Sequence, residues 1–143
     1  MKKFLVYLSG ATKNVKDHFQ NWRLDAESKS KVYEDIKFIN PIKYFNYDIS
    51  CQPVTDKQCL DLFMWQIEQS NLLLVNLDYS NNSIGTAMEV EHAYCNNIPV
   101  IAFGCQESTW YNWVKERSTI VFEDLDEACF YINETYVDSI MHD

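Results

Sequence analysis

The chain has 143 residues, 47% of them hydrophobic and 15% aromatic, enough to bury one substantial core and too few for two ordinary domains. Its 12 Lys plus Arg against 21 Asp plus Glu leave a formal charge of −9, which repels a phosphate backbone or an anionic membrane face and argues against extended nucleic acid and membrane as partners. No apolar run reaches the length of a membrane span, and Phe4 to Ser9 is too short for a signal-peptide core, so a soluble, cytoplasmic protein is expected.

Lys3 to Ser9 reads as a first strand closed by Gly10. Asp17 to Ser30 has the length and charge of a helix, with Phe19, Trp22 and Leu24 available to pack. Phe38 to Pro41 reads as a short second strand. Ile42 to Thr55, aromatic, polar and broken by Pro53, is a candidate substrate-covering loop. Asp56 to Ser70 returns to helical spacing, with Leu60, Phe63, Met64 and Ile67 on one face. Five of the eight residues from Asn71 to Asp78 are Leu or Val, the mark of a strand buried on both faces. Thr86 to Asn96 makes the next helix, Ile98 to Gly104 a strand, Trp110 to Arg117 a short helix, Thr119 to Phe122 a short strand and Leu125 to Tyr136 a last helix. This alternation predicts a single-domain, doubly wound α/β fold with a parallel sheet. Ligands of such sheets bind beyond the carboxyl ends of the strands, so the loop from Tyr79 to Thr86 is the first place to look for a site.

The five cysteines, Cys51, Cys59, Cys95, Cys105 and Cys129, are scattered, with no Cys-x-x-Cys pair and no histidine at zinc spacing. They read as reduced, partly packed thiols rather than a disulfide scaffold or metal site. Two glycine turns fall at the same sheet edge. Ser9-Gly10-Ala11-Thr12-Lys13 closes the first strand, and Ser83-Ile84-Gly85-Thr86 opens the helix that carries Glu89. Each offers backbone N–H groups and hydroxyls to an anion or a sugar. Neither matches a dinucleotide fingerprint or a P-loop, and a Ser or Gly at such a place also serves simply to cap a helix or permit a turn.

Tyr7-Leu8-Ser9-Gly10 after an N-terminal strand, the strand Ser70-Asn71-Leu72-Leu73-Leu74-Val75-Asn76-Leu77, then Gly85-Thr86-Ala87-Met88-Glu89 with Ala93 four residues on and Ile98-Pro99-Val100, resemble the nucleoside 2-deoxyribosyltransferase family. Its superfamily includes nucleoside 5'-monophosphate N-glycosidases. The resemblance spans about Lys3 to Gly104 and implies a flavodoxin-like sheet, chemistry at an N-glycosidic bond, no cofactor, a small nucleoside or nucleotide as substrate and a homo-oligomer. It makes Glu89 the nucleophile at the anomeric carbon, giving a glycosyl-enzyme that another base or water resolves, and Tyr7 the phenol that hydrogen-bonds it. Outside the resemblance, Glu89 reads as a first-turn glutamate complementing a helix dipole, and Tyr7 as a packed strand aromatic. Two readings of other classes stay open: a catalytically silent module that binds a nucleotide, and an interaction domain with no nucleotide ligand.

The chain departs from the family pattern twice. Ser83 stands where the transferases often carry an aspartate, six residues before the nucleophile. The monophosphate hydrolases have a serine there, and this implies a 5'-group pocket of Gly10, Thr12, Lys13, Ser83, Gly85 and Thr86, with Ser9 and Asp78 also among the substrate-binding residues. Lys13 taken alone reads rather as a solvated loop lysine, and Ser83 has the alternative reading of an N-cap. The second departure is Phe63, where the family usually has an aspartate that contacts the leaving base. Asp61 lies two residues away, about 200° of helical rotation, and serves only if the helix slips. Asp78, at the end of the buried strand, and His92, on a neighbouring helical face, are further candidates. Tyr44-Phe45-Asn46-Tyr47 and Trp110-Tyr111-Asn112-Trp113 could stack a base or pack in a core or interface.

Overall fold

A computed structural model of the chain describes residues 2–11, 21–44, 55–80, 83–105 and 112–141, the side chains of residues 21, 43 and 44 excepted. Five strands, β1 (Phe4–Ser9), β2 (Ile36–Ile39), β3 (Leu72–Asn76), β4 (Val100–Phe103) and β5 (Ile120–Phe122), pair parallel in the order β2-β1-β3-β4-β5. The helices are α1 (Asn21–Ser28), α2 (Asp56–Gln69), α3 (Ile84–Cys95), α4 (Trp113–Glu116) and α5 (Leu125–Tyr131). A π-helical segment, Ile132–Val137, continues α5 into α6 (Asp138–Met141). This is the doubly wound parallel sheet that the alternation of elements predicts, in the flavodoxin-like order that the resemblance implies.

The period-two alternation of the strands divides the core into two layers. From β1, Phe4, Val6 and Leu8 face one side, with Leu72, Leu74, Ile101, Phe103 and the α1 and α5 residues Ala26, Ala128 and Cys129. Tyr7 faces the other, with Leu73, Val75, Val100, Ala102, Ile67 of α2, Val90 and Ala93 of α3, and Val114 of α4. All five residues of β3 are buried, which is why its run is continuously apolar. Helix α2 starts on a reciprocal cap: the Gln58 backbone N–H donates to Thr55 Oγ1, and the Thr55 N–H donates to the Gln58 side chain at 2.8 Å.

Several elements differ from the sequence reading; the last helix, read as ending at Tyr136, runs on through the π-helical segment to Met141, and the strand read as Ile98 to Gly104 is Val100–Phe103. Strand β2 lies two residues earlier than Phe38 to Pro41, because Ile36, Lys37 and Phe38 alternate buried, exposed and buried on a sheet edge. Asn40 then turns the chain, its side-chain oxygen accepting the Ile42 N–H at 3.1 Å. Leu24 is 60% exposed and does not pack; the inward stripe of α1 is Trp22, Arg23 and Ala26, at i, i+1 and i+4. Helix α3 starts at Ile84, two residues earlier than Thr86, capped by Ser83. Residues 12–20, 45–54 and 106–111, which include Thr12, Lys13, most of the proposed covering loop and most of the two aromatic segments, lie outside the described residues.

Among the described residues no helix is long and apolar enough to cross a membrane. Cys129 is buried, and that burial pushes its thiol up to about 12, an unreactive packed side chain. The fully buried Leu74, at the centre of the larger core layer, sets an expectation for stability. Leu74→Ala should cost about 2–5 kcal/mol, read as a lower urea midpoint with an unchanged m-value; a loss below about 1 kcal/mol would contradict this packing.

Candidate active site

Chain order reverses in the sheet between β1 and β3, so their carboxyl ends open a crevice at which α3 begins. The face of α3 that meets the sheet is Thr86, Glu89, Val90 and Ala93, a spacing that normally calls for four apolar or small residues. Glu89 is the exception, a carboxylate only 9% exposed on a core-facing stripe. Two hydroxyls from β1 accommodate it. Tyr7 Oη donates to Glu89 Oε2 at 2.5 Å, and Ser9 Oγ donates to Glu89 Oε1 at 2.8 Å. Tyr7 and Ser9 can both reach it because residues two apart on a strand share a face.

Burial pushes the Glu89 carboxyl above the usual carboxylate range, while the hydrogen bonds from Tyr7 and Ser9 and the charge of Arg23 pull it back. Because α3 starts at Ile84, Glu89 lies in its second turn, and the first turn carries no acidic residue. A helix-dipole role therefore loses its basis, since that interaction fades beyond the first turn.

Glu89 lines a cavity of about 120 Å³ together with Gly10, Arg23, Ser83, Gly85 and Thr86, which offer polar groups, and with the apolar Pro41, Ile42, Leu60, Phe63 and Met64. Gly10 is in close approach, since a Cβ there would sit 3.1 Å from Trp22 Cζ2 and 3.4 Å from Asn76 Cβ, tight enough that a neighbour would have to give way. Gly85 is different. A Cβ built on it meets nothing within 4 Å, so its missing side chain leaves room at the cavity rather than relieving a clash. Ser83 both lines the cavity and caps α3, its Oγ accepting the Thr86 N–H at 3.2 Å and lying 2.7 Å from Thr86 Oγ1.

Other candidates fall elsewhere. Helix α2 is regular, so the slip that would bring Asp61 round does not occur: Asp61 faces solvent and pairs with Lys57 at 2.8 Å, while Phe63 lines the cavity. Asp78 does not line the cavity either. Its Oδ1 accepts the Cys105 N–H at 3.0 Å, its own N–H donates to Asn76 Oδ1 at 3.0 Å, and a Cβ on Gly104 (φ +93°) would fall 2.8 Å from Asp78 Oδ1. These residues form a knot joining the ends of β3 and β4. His92 pairs with Glu68 at 3.0 Å, bracing α3 against α2. Among the described residues no three His, Cys, Asp or Glu side chains are grouped to hold a metal.

No protein-family model matches the sequence, and no curated protein does. Solved structures match with probability 1.00. A 2-deoxyribosyltransferase from Bacillus psychrosaccharolyticus superposes with a TM-score of 0.65 at 15% identity, over 86% of this chain and 88% of that one. It shares the 2-deoxyribosyltransferase fold. The Clostridium botulinum CMP N-glycosidase BcmB superposes with a TM-score of 0.58 at 13% identity, over 92% and 99%. A conserved protein from Enterococcus faecalis V583 gives 0.60 at 17%, over 94% and 77%.

Two parts of the cavity on this 2-deoxyribosyltransferase-like fold escape a reading of the sequence. Arg23 is one, because an arginine is by default a surface residue; its place at i+1 and i−3 to Trp22 and Ala26 on the inward stripe was the available signal. The apolar wall is the other, for Pro41 and Ile42 join Leu60, Phe63 and Met64 only through the tertiary fold.

A carboxyl whose folded-state pKa is raised contributes stability that is present below its ordinary range and lost as pH rises through the folded value. Stability should therefore fall as pH rises through the folded-state value of Glu89, and this pH dependence should weaken in Glu89→Gln. Denaturation midpoints across pH check this, and an unchanged pH dependence in the variant would contradict it.

Proposed function

We propose that this protein cleaves the N-glycosidic bond of a nucleoside or its 5'-monophosphate through Glu89. The observation that carries the reading is a buried carboxylate, held by one hydroxyl on each oxygen, that lines a cavity of polar and apolar residues. The likeness of the fold to a 2-deoxyribosyltransferase and a CMP N-glycosidase supports it.

In this mechanism a Glu89 carboxylate oxygen attacks the anomeric carbon while the bond to the base nitrogen breaks and its electron pair leaves with the base. The base gains a proton at that nitrogen or departs as the anion. Water or a second base then attacks the same carbon, releasing the Glu89 carboxylate and giving hydrolysis or transfer. Tyr7 and Ser9 orient the attacking oxygens and temper their basicity. The apolar wall of Ile42, Leu60, Phe63 and Met64 receives the flat base, and the polar side formed by Gly10, Ser83, Gly85 and Thr86 receives the sugar and its 5'-group. Ser83, a neutral hydroxyl without the repulsion of an aspartate, suits a 5'-phosphate. Phe63 offers no proton, so the leaving base is favoured where its own ring stabilises the departing electrons.

Chromatographic detection of free base from ribo- and deoxyribonucleosides and their 5'-monophosphates, with and without a second base, tests this reading. Release should occur and fall at least 10³-fold in Glu89→Gln, and dependence on the second base separates transfer from hydrolysis. Saturable binding with no release from any substrate would instead favour the silent nucleotide-binding module. The acid limb of kcat/KM should lie above the usual carboxylate range, since only ionised Glu89 attacks. Gly85→Ala gives an independent check. It should raise stability by about 0.5–1 kcal/mol, because a helical glycine is replaced where nothing obstructs the new methyl, yet weaken substrate binding, because the methyl enters the cavity.

We also propose a homo-oligomer. Ile84 and Met88 on α3 and Trp113 on α4 are exposed beside an open groove lined by Ala87, Val90, Glu91, Val114 and Arg117, an apolar surface adjoining the site helix. Light scattering should give more than the mass of one chain, and Trp113→Glu should shift it toward the monomer; a wild-type monomer at high concentration would refute the assembly.

A further inference from the structure

Arg23 is 2% exposed, among the most deeply buried side chains of the chain, and it lines the same cavity as Glu89. Its guanidinium lies 4.7 Å from the centre of the Trp22 ring, and Nη2 donates to the Gly10 carbonyl at 2.9 Å. Trp22 is itself held edge-on to Phe103 at 5.4 Å between centroids. The cation is thus fixed by a stacked ring below and a backbone carbonyl above, in a region where an unmatched charge is strongly disfavoured. Arginine suits that place better than lysine, since it stays protonated when buried and spreads its charge over a plane.

We propose that Arg23 is a positioning residue for Glu89, a buried counter-charge for the carboxylate that also ties the Gly10 turn to α1. The inference rests on the proposed reading only in that Glu89 must be ionised to act. The other described residues that bond Glu89 or line the cavity with it are neutral in the working state: Tyr7, Ser9 and Gly10 at β1, Pro41 and Ile42 after β2, Leu60, Phe63 and Met64 from α2, and Ser83, Gly85 and Thr86 at the start of its own helix. The nearby charges on α2 and α3 are engaged elsewhere, Glu68 with His92, Glu91 with Arg117 and Asp61 with Lys57. Arg23 is accordingly the one cation among the described residues whose charge favours ionised Glu89, and the carboxylate in turn stabilises the guanidinium. Without it, the balance between burial and the two hydroxyls tips toward the protonated acid, which cannot attack.

The test separates charge from hydrogen bonding. Arg23→Gln keeps an N–H donor for Gly10 and loses the charge; Arg23→Lys keeps the charge and loses the planar fork. The Glu89 side-chain carboxyl is followed by carbon NMR in glutamate-labelled protein, assigned with Glu89→Gln. The expected result is a titration midpoint raised by about one pH unit or more in Arg23→Gln, with Arg23→Lys nearer to wild type than to Arg23→Gln. The acid limb of kcat/KM should move with it. An unchanged midpoint in folded Arg23→Gln overturns the proposal, as does an Arg23→Lys midpoint displaced as far as that of Arg23→Gln. Should Arg23→Gln not fold, the double variant Arg23→Gln/Glu89→Gln is expected to fold, because no lone buried charge remains; a double variant that also fails overturns the proposal. Absence of base release from wild-type protein would reject the glycosidic chemistry and leave the titration result standing.

Discussion

A carboxylate placed on the core-facing stripe of α3 is the constraint around which the molecule is arranged. Helices packed on a parallel sheet normally bury apolar side chains along that stripe, and an ionised group there loses most of its hydration. The sheet answers with the two hydroxyls of β1, and α1 answers with a buried guanidinium. Three elements far apart in sequence thereby depend on one side chain. The site is a polar network inside a hydrophobic layer, where partial satisfaction would be worse than none.

The surrounding architecture keeps that network in place. Continuous burial of β3 anchors the centre of the sheet, and parallel pairing sets Tyr7 beside Leu73 and Ser9 beside Val75. The knot of Asn76, Asp78 and Gly104 ties the ends of β3 and β4 below the crevice. On the other side, the paired Glu68 and His92 hold α2 against α3, so the apolar wall keeps its distance from the carboxylate. Tyr7 serves both the core and the site, and the burial of Glu89 favours the protonated acid at the expense of the reactive anion.

Much of this was legible in the residues. The runs around Leu74 and Ile101 are long and apolar enough to name buried strands, and their alternation with helical spacing gives the doubly wound class. What pattern could not give was partnership. Ser9 reads as one more hydroxyl in a glycine turn, and only the strand's parity sends it to Glu89. Asp78 reads as a carboxylate above a pocket, yet its oxygen closes a backbone turn. Asp61 needed an irregular helix that a well-capped α2 does not supply. Arg23, buried against its residue type's usual preference, became visible only once Gly10 and Trp22 were beside it. Charged and polar side chains carry little local signal about where they end, because their energetics are decided by tertiary neighbours.

The parity of β1 has a consequence for how such a site changes over evolutionary time. Tyr7 and Ser9 serve Glu89 from one face while Val6 and Leu8 build the opposite core layer. Substitutions can drift widely around them, in keeping with identities of only 13 to 17% to structures of the same fold. Insertion or deletion of a single residue within the strand is another matter: it would turn the two hydroxyls into the aliphatic layer and present leucine and valine to the carboxylate. In this chain the register of β1 from Tyr7 to Ser9 is therefore constrained more tightly than the identity of the residues that surround it.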